Sequence, residues 1–226
     1  MITDQDVRDI VRLLGDAVAA KGDLFAKRRL VMNGLLRIVD ADAWAWSLAH
    51  LEMGSPPRQV VFLHEGIPQE RLPHFLSAIE HDDIQWIMGR FIQEAVTQRL
   101  PMTRRDQQLF DEWPEGSEAY RKWVDDAHLR SHILMAWPLE TGGYCSVGMF
   151  RESHRPFFGP RETRIAHILL TEIPWLHEEG WGEERGESLL RLAKRPREIL
   201  SLLVQGRSRP QIADDLGVSI HTVNGY

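Results

Sequence analysis

Two periods of apolar and polar residues run through the first 180 positions, and they separate predicted helices from predicted strands. After Thr3 and Asp6, which have the spacing of a helix cap, five apolar residues recur at helical spacing. These five are Val7, Ile10, Val11, Leu14 and Val18. The pattern predicts an amphipathic first helix, and a second helix is predicted near residues 24–39.

The period changes to two after Asp42. Trp44, Trp46 and Leu48 alternate with alanine and serine, which predicts a strand with one bulky face and one small face. Strands are also predicted at 59–64, 131–140 and 144–150, and helices at 68–80, 83–98, 117–126 and from Pro160 onward, with 99–116 irregular. Thr141, Gly142 and Gly143 favour a tight hairpin between the last two strands. This order predicts an α+β fold in which helices flank an antiparallel sheet.

The most specific motif lies between Ser208 and Val223. Ser208 and Gln211 have capping-box spacing, and the apolar residues Ile212, Ala213 and Leu216 follow at helical spacing. Gly217 stands where a helix leaves through a left-handed residue, and Ser219 can cap a second helix that carries Ile220 and Val223. Two short helices joined in this way predict a helix-turn-helix.

Residues 192–223 resemble the C-terminal DNA-binding domain of LuxR-type transcriptional regulators. The resemblance implies a small all-α domain of four helices, whose third helix enters the major groove and whose fourth helps dimerisation. Ala193 and Pro196 depart from its first cap, while Asn224 and Tyr226 stand where the family usually has Lys and His. The sequence stops inside the third helix. If Tyr226 is the natural terminus, we expect an incomplete module that binds DNA weakly and nearly without sequence preference.

The resemblance implies double-stranded promoter DNA as a partner and a homodimer that reads it. Two arginines, Arg207 and Arg209, are expected to approach phosphates. The residues expected to face DNA are Ser219, Ile220, His221, Thr222 and Asn224.

The N-terminal region resembles a GAF-type sensor domain through the order of its elements and the phrase RPFFGPRETRIAHILL at residues 155–170. A PAS-like sheet or the acyl-homoserine-lactone domain of quorum-sensing regulators shares much of this order. The Trp, Tyr and Asp spacing of that lactone pocket has no match, which counts against a lactone. We expect a sensor and dimerisation domain at 1–180, a linker at 181–191 and the DNA-binding domain at 192–226.

Charge divides the chain in the same way. The net charge of the 226 residues is −6, but residues 192–226 hold five Lys or Arg against three Asp or Glu and are net positive. An acidic body with a basic end is typical of a sensor joined to a DNA reader. The chain has one cysteine, and we find neither a signal peptide nor a membrane span, so we expect a cytoplasmic protein.

Tryptophan is abundant, with eight residues in all. Aromatic side chains of this kind line pockets for planar or acyl molecules, although they also fill ordinary cores. The candidate pocket for an unknown small-molecule effector consists of Trp44, Trp46, Trp86, Trp123 and Trp137. The alternative is a ligand-free sensor that acts as a protein-interaction or dimerisation module.

Catalysis has little support in the sequence. His81, Asp82 and Asp83 invite comparison with metal-dependent His-Asp hydrolases, but no recognised ligand spacing surrounds them, so this remains a remote alternative. Cys145 lies in a predicted strand whose alternation buries it, which favours an inert thiol. We therefore expect no enzyme activity, metal or cofactor.

Overall fold

A computed structural model describes residues 1–50, 58–109, 118–140, 143–177 and 208–224. The chain divides into two compact units, Met1–Gly180 and Trp181–Tyr226. Within the described residues no helix is long and apolar enough to cross a membrane.

Nine α-helices and five strands make up the described part of the chain. The helices are α1 (Asp4–Ala19), α2 (Leu24–Ile38), α3 (Leu72–Ile79), α4 (Asp82–Gln98), α5 (Asp106–Leu109), α6 (Glu118–Arg121), α7 (Pro160–Thr171), α8 (Arg209–Leu216) and α9 (Ile220–Asn224). A π-helical turn, Lys122–Asp126, follows α6, and a 3-10 turn, Pro174–Leu176, follows α7. The strands are β1 (Ala43–His50), β2 (Arg58–Glu65), β3 (Met102–Arg105), β4 (Leu129–Leu139) and β5 (Gly143–Glu152).

The five strands form one sheet in the order β2-β1-β5-β4-β3, and every neighbouring pair is antiparallel. The predicted α+β fold is confirmed, as is the pairing of β4 with β5. The prediction of an irregular segment at 99–116 was wrong for residues 102–109, because β3 pairs with β4 there and α5 follows it. The rest of that prediction, at 110–116, lies outside the described residues. Three of the four residues of β3 are polar, so this edge strand lacks the apolar alternation that identifies a strand.

The sheet has a bulky face and a small face, as the alternation in β1 predicts. Trp44, Trp46 and Leu48 join a core cluster with residues of α1, α2 and α7. Ala43 and Ala45 point to the other face and join a second cluster with residues of α3, α4 and the π-helical turn. The unit is therefore layered, with helices covering both faces of the sheet.

Helix α1 begins as predicted but buries a different face. Thr3 and Asp6 form a full capping box. The buried residues of α1 are Asp6, Ile10, Leu13 and Ala17. Leu13 packs directly against α2 because Gly34 has no side chain. A Cβ at Gly34 would lie 2.1 Å from a Leu13 methyl group. The predicted inward positions Val7, Val11 and Val18 are exposed instead.

Candidate nucleic-acid interface and sensor site

A small apolar core holds α8 and α9 together. Ile212, Ala213 and Val223 are buried, and Leu216 and Val218 pack against them. The side chain at 213 is small, which lets the two helices approach closely.

The turn between these helices depends on Gly217. Its φ is +61°, in the left-handed region that a side chain disfavours. The N–H of Val218 donates to the carbonyl oxygen of Ala213 at 3.0 Å, which satisfies one of the last carbonyls of α8. The turn therefore ends α8 and lets α9 begin three residues later.

Serine side chains lie at both helix starts. Ser219 accepts from the N–H of Thr222 at 3.1 Å, so it caps α9 as predicted. At α8 the N–H of Ser208 donates to Gln211 Oε1 at 2.9 Å. The Ser208 hydroxyl donates to that same oxygen at 3.0 Å, so Gln211 supplies its half of the predicted capping box.

The exposed start of α9 is the candidate nucleic-acid interface. Ser219, Ile220 and Thr222 are exposed, and Ile220 keeps 42% of its surface open although it is aliphatic. Arg209 is exposed at the first position of α8. The two hydroxyl groups and the apolar side chain suit contacts with base edges, and the arginine suits a contact with phosphate.

The remaining predicted DNA contacts are less completely described. His221 and Asn224 belong to α9, but only their backbone is described. Arg207, and the predicted linker at 181–191, lie outside the described residues.

The five candidate tryptophans do not line one cavity. Trp44, Trp46 and Trp137 belong to the bulky face of the sheet, whereas Trp123 lies in the cluster on the other face. Trp86 is 56% exposed on α4.

Three of these indoles have specific partners. Trp44 Nε1 donates to Asn33 at 2.7 Å, and the Arg28 guanidinium lies 4.4 Å from the Trp46 ring. Trp137 stacks on His177 with ring centroids 4.4 Å apart. These contacts give the indoles packing roles in the core.

A groove of about 590 Å³ runs along the outside of α4. It is bordered by Gln85, Trp86, Gly89, Arg90, Gln93 and Glu94. All six residues belong to the same helix, so the described residues form a shallow surface here rather than an enclosed pocket.

The small face of the sheet carries a polar pair that the sequence analysis missed. Ser47 of β1 and Ser146 of β5 are register partners, and their hydroxyl oxygens are 2.7 Å apart. Ala45 and Ala136 also belong to this face, where they are buried in a cluster with larger aromatic side chains. The alternation in β1 predicted the small face, but the partner strand could not be assigned without the register.

Asp106, Ser131 and His132 form a buried polar cluster. The Asp106 carboxylate accepts from the Ser131 hydroxyl at 2.9 Å and contacts His132 Nδ1 at 2.5 Å. Ser131 Oγ also accepts from the N–H of Phe158 at 2.8 Å. The serine donates to the aspartate rather than to the imidazole, so these contacts lack the nucleophile-to-base bond of a hydrolase. The cluster ties β3 and α5 to β4 and to the loop before α7.

Cys145 and His177 form another buried pair. His177 Nε2 lies 2.7 Å from the carbonyl oxygen of Leu170 and donates to it, so Nδ1 accepts from the Cys145 thiol at 3.2 Å. Burial raises the pKa of Cys145 well above its usual range and lowers the pKa of His177 to about 4. Both groups are neutral at pH 7, and the thiol has the character of an inert core residue, as predicted from the strand pattern.

The His81 motif has a local role in the structure. His81 is the N-cap of α4, and its Nδ1 accepts from the N–H of Asp83 at 3.3 Å. Across the described ranges, no group of three or more His, Cys, Asp or Glu side chains could hold a metal ion.

Comparison with known protein families finds a match within the second unit. Residues 190–226 match the family described as bacterial regulatory proteins, luxR family. No curated protein matches the chain.

The chain is also similar to several solved structures. Escherichia coli SdiA is 15% identical over 95% of this chain and 85% of its own, with a TM-score of 0.46. CepR2 of Burkholderia cenocepacia, an N-acylhomoserine lactone dependent LuxR family factor, is 8% identical over 77% of this chain and 93% of its own, with a TM-score of 0.49. The LBD domain of Pseudomonas aeruginosa VqsR is 17% identical over 77% and 94%, with a TM-score of 0.48. The family match covers residues 190–226, and this segment therefore belongs to the LuxR family of bacterial regulatory proteins.

Proposed function

We propose that this protein is a DNA-binding transcriptional regulator, in which a sensor domain at 1–180 controls a helix-turn-helix at 192–226 through a linker at 181–191. The observation that carries the proposal is the exposed start of α9, set on a capped, glycine-turned pair of helices inside a LuxR-family segment. The sensor is GAF-like, and the protein acts in the cytoplasm without catalysing a reaction.

In this proposal α9 lies in the major groove. Ser219 and Thr222 offer hydroxyl groups to base edges, and Ile220 offers an apolar contact of the kind made with a thymine methyl group. His221 and Asn224 belong to the same helix and complete the reading surface. Arg207 and Arg209 approach phosphates at the start of α8, where backbone N–H groups also favour anions.

Charge supports a dimer as the DNA-binding form. The excess of positive charge in residues 192–226 is only two, while the rest of the chain is acidic. A single copy therefore neutralises few phosphates, and two copies on successive half-sites are needed for tight binding.

The input to the sensor is an unidentified small molecule or a protein. The small face of the sheet supports a small molecule, because it combines the Ser47–Ser146 hydroxyl pair with short alanine side chains. A ligand that binds the folded unit raises its melting temperature, so a thermal-shift screen across metabolite classes separates the two inputs. A shift that Ser146→Val abolishes supports the small molecule, whereas no shift across the screen favours the protein-interaction alternative.

The proposal is tested by gel-shift titration of the full-length protein against the DNA upstream of its own gene. We expect tighter binding to this DNA than to a shuffled sequence of equal length, with an affinity that falls as salt rises. Equal affinity for both sequences at every salt concentration would overturn the proposal.

A further inference from the structure

Helix α1 carries an apolar stripe that the described structure leaves uncovered. Val7, Val11 and Val18 keep 51%, 61% and 82% of their surface exposed. Leu14 lies between them, is half-buried, and packs its buried part against the core. The other stripe of α1 already packs into the core, so these residues form a second, outward face.

The spacing of this outward face is that of a helix–helix seam. Steps of four, three and four residues separate Val7, Val11, Leu14 and Val18. Single exposed valines are common on protein surfaces, but four apolar residues at heptad spacing place one continuous ridge along a 16-residue helix.

Gly15 points to close approach by another chain at the same place. It is exposed in the interior of α1, where glycine destabilises a helix relative to alanine. A Cβ at this position would meet nothing within 4 Å, so packing inside the chain does not require the glycine. It follows Val11 by four residues and precedes Val18 by three, beside the ridge.

We infer that the α1 ridge pairs antiparallel with the α1 ridge of a second copy of this chain. The inference rests on the proposed function, which requires two copies on DNA. A two-fold axis between Val11 and Leu14 sets Val11 against the partner's Leu14 and Val7 against the partner's Val18, so the ridge is self-complementary.

Charge at the ends of the ridge selects the antiparallel direction. Asp4 is exposed in the first turn of α1, and Lys21 is exposed just after its end. Antiparallel pairing brings each Asp4 towards the partner's Lys21. Parallel pairing would bring Asp4 towards the partner's Asp4, and like charges disfavour it.

The ridge is short, so the dimer is expected to be weak. A helix pair of this length buries less than ~1,200 Å², the size class of weak and reversible complexes. The dimer therefore forms at high protein concentration or on DNA, where both copies are held close.

Cysteine cross-linking in the full chain tests the pairing and its direction. The single native cysteine, Cys145, is fully buried, so new thiols on α1 dominate the reaction. A mixture of Val7→Cys and Val18→Cys proteins, oxidised mildly, is expected to give a disulfide-linked dimer in high yield.

Two controls interpret the result of the mixture: each cysteine variant alone, and a cysteine placed outside α1. Either variant alone is expected to cross-link poorly, because the two like positions lie about 16 Å apart along an antiparallel pair. Efficient cross-linking of each variant alone would show parallel pairing and overturn the direction. A yield in the mixture no higher than that of Leu100→Cys, an exposed leucine outside α1, would overturn the pairing.

Sedimentation velocity without oxidation gives an independent test. Val11→Asp is expected to raise the dissociation constant at least tenfold, and Leu100→Asp is expected to leave it unchanged. Equal constants for Val11→Asp and the unmodified protein would refute the ridge. DNA titration distinguishes the two proposals, since preference for upstream DNA without α1 pairing refutes only the ridge, and pairing without DNA preference refutes only the regulator.

Discussion

The first compact unit and the helix pair at 208–224 are stabilised by hydrogen bonds that join residues at different separations along the chain. In the first compact unit, Met1–Gly180, Arg151 donates to the carbonyl oxygens of Val39 and Asp40 more than 100 residues earlier, at 3.0 and 2.9 Å. In residues 208–224, the described side-chain hydrogen bonds at Ser208 and Ser219 each join residues three positions apart. A long-range anchor fixes several elements at once, whereas a local cap fixes one turn.

This difference predicts how damage spreads. Removing an anchor of the first unit should destabilise the whole unit, because the elements it joins lose their common partner. Changing a cap or turn in the helix-turn-helix should loosen that segment alone.

The largest effect is expected at Arg151. Its guanidinium also donates to Pro156 at 3.2 Å and lies 4.2 Å from the Phe158 ring. Arg151→Ala leaves several carbonyl oxygens without a donor, and we expect a loss of about 3–4 kcal/mol of unfolding free energy. Urea unfolding measures this loss. Arg12→Ala serves as the control, because the Arg12 side chain is 71% exposed. Equal losses of unfolding free energy in the two variants would show that Arg151 contributes no more to stability than a surface arginine.

An intermediate, pH-dependent effect is expected at His177. Burial lowers the pKa of His177 to about 4, so the unfolded chain binds a proton at higher pH than the folded chain. Stability present near pH 7.5 is therefore lost as the pH falls, by about 2 kcal/mol at pH 5. His177→Gln keeps a donor for Leu170 and should reduce this slope, while His154→Gln, at a side chain that is 74% exposed, should not. An unchanged slope in His177→Gln unfolding curves would refute the assignment.

The smallest effect is expected at Gly217, where the comparison is between two glycines with open space around them. Gly217 has a φ of +61°, so Gly217→Ala should cost about 1–2 kcal/mol and speed hydrogen exchange only within residues 208–224. Gly89 lies in α4 without a positive φ, so Gly89→Ala should stabilise the first unit by ~0.5–1 kcal/mol. Hydrogen exchange that speeds throughout the chain in Gly217→Ala would contradict a locally held segment.

The same contrast explains what the sequence could predict. The Ser219 cap, the Gly217 turn and the core of α8 and α9 involve residues close together in sequence, and their pattern alone indicated them. In the first unit, the strand alternation of β1 and the β4–β5 hairpin were predictable for the same reason.

The sequence predictions failed where a residue's environment depends on residues far away in the sequence. Helix α1 has two apolar stripes, and the choice between them depends on the space at Gly34 and on Arg161, which hydrogen-bonds Asp6 from 155 residues away. Arg161 lowers the pKa of Asp6 well below its usual range and so allows an aspartate on the buried stripe. The scattering of the tryptophans likewise depends on which sheet face each element covers.

The central claim is that the start of α9 reads DNA sequence while Arg209 holds the backbone. Fluorescence-anisotropy titrations of full-length protein, with upstream and shuffled DNA at several salt concentrations, test it most directly. We expect Thr222→Ala to lose the preference for upstream DNA but keep its affinity for shuffled DNA. Arg209→Ala should weaken both equally and reduce the salt slope by about 1. A preference for upstream DNA that survives Thr222→Ala undiminished, or an unmodified protein without any preference, would contradict the account.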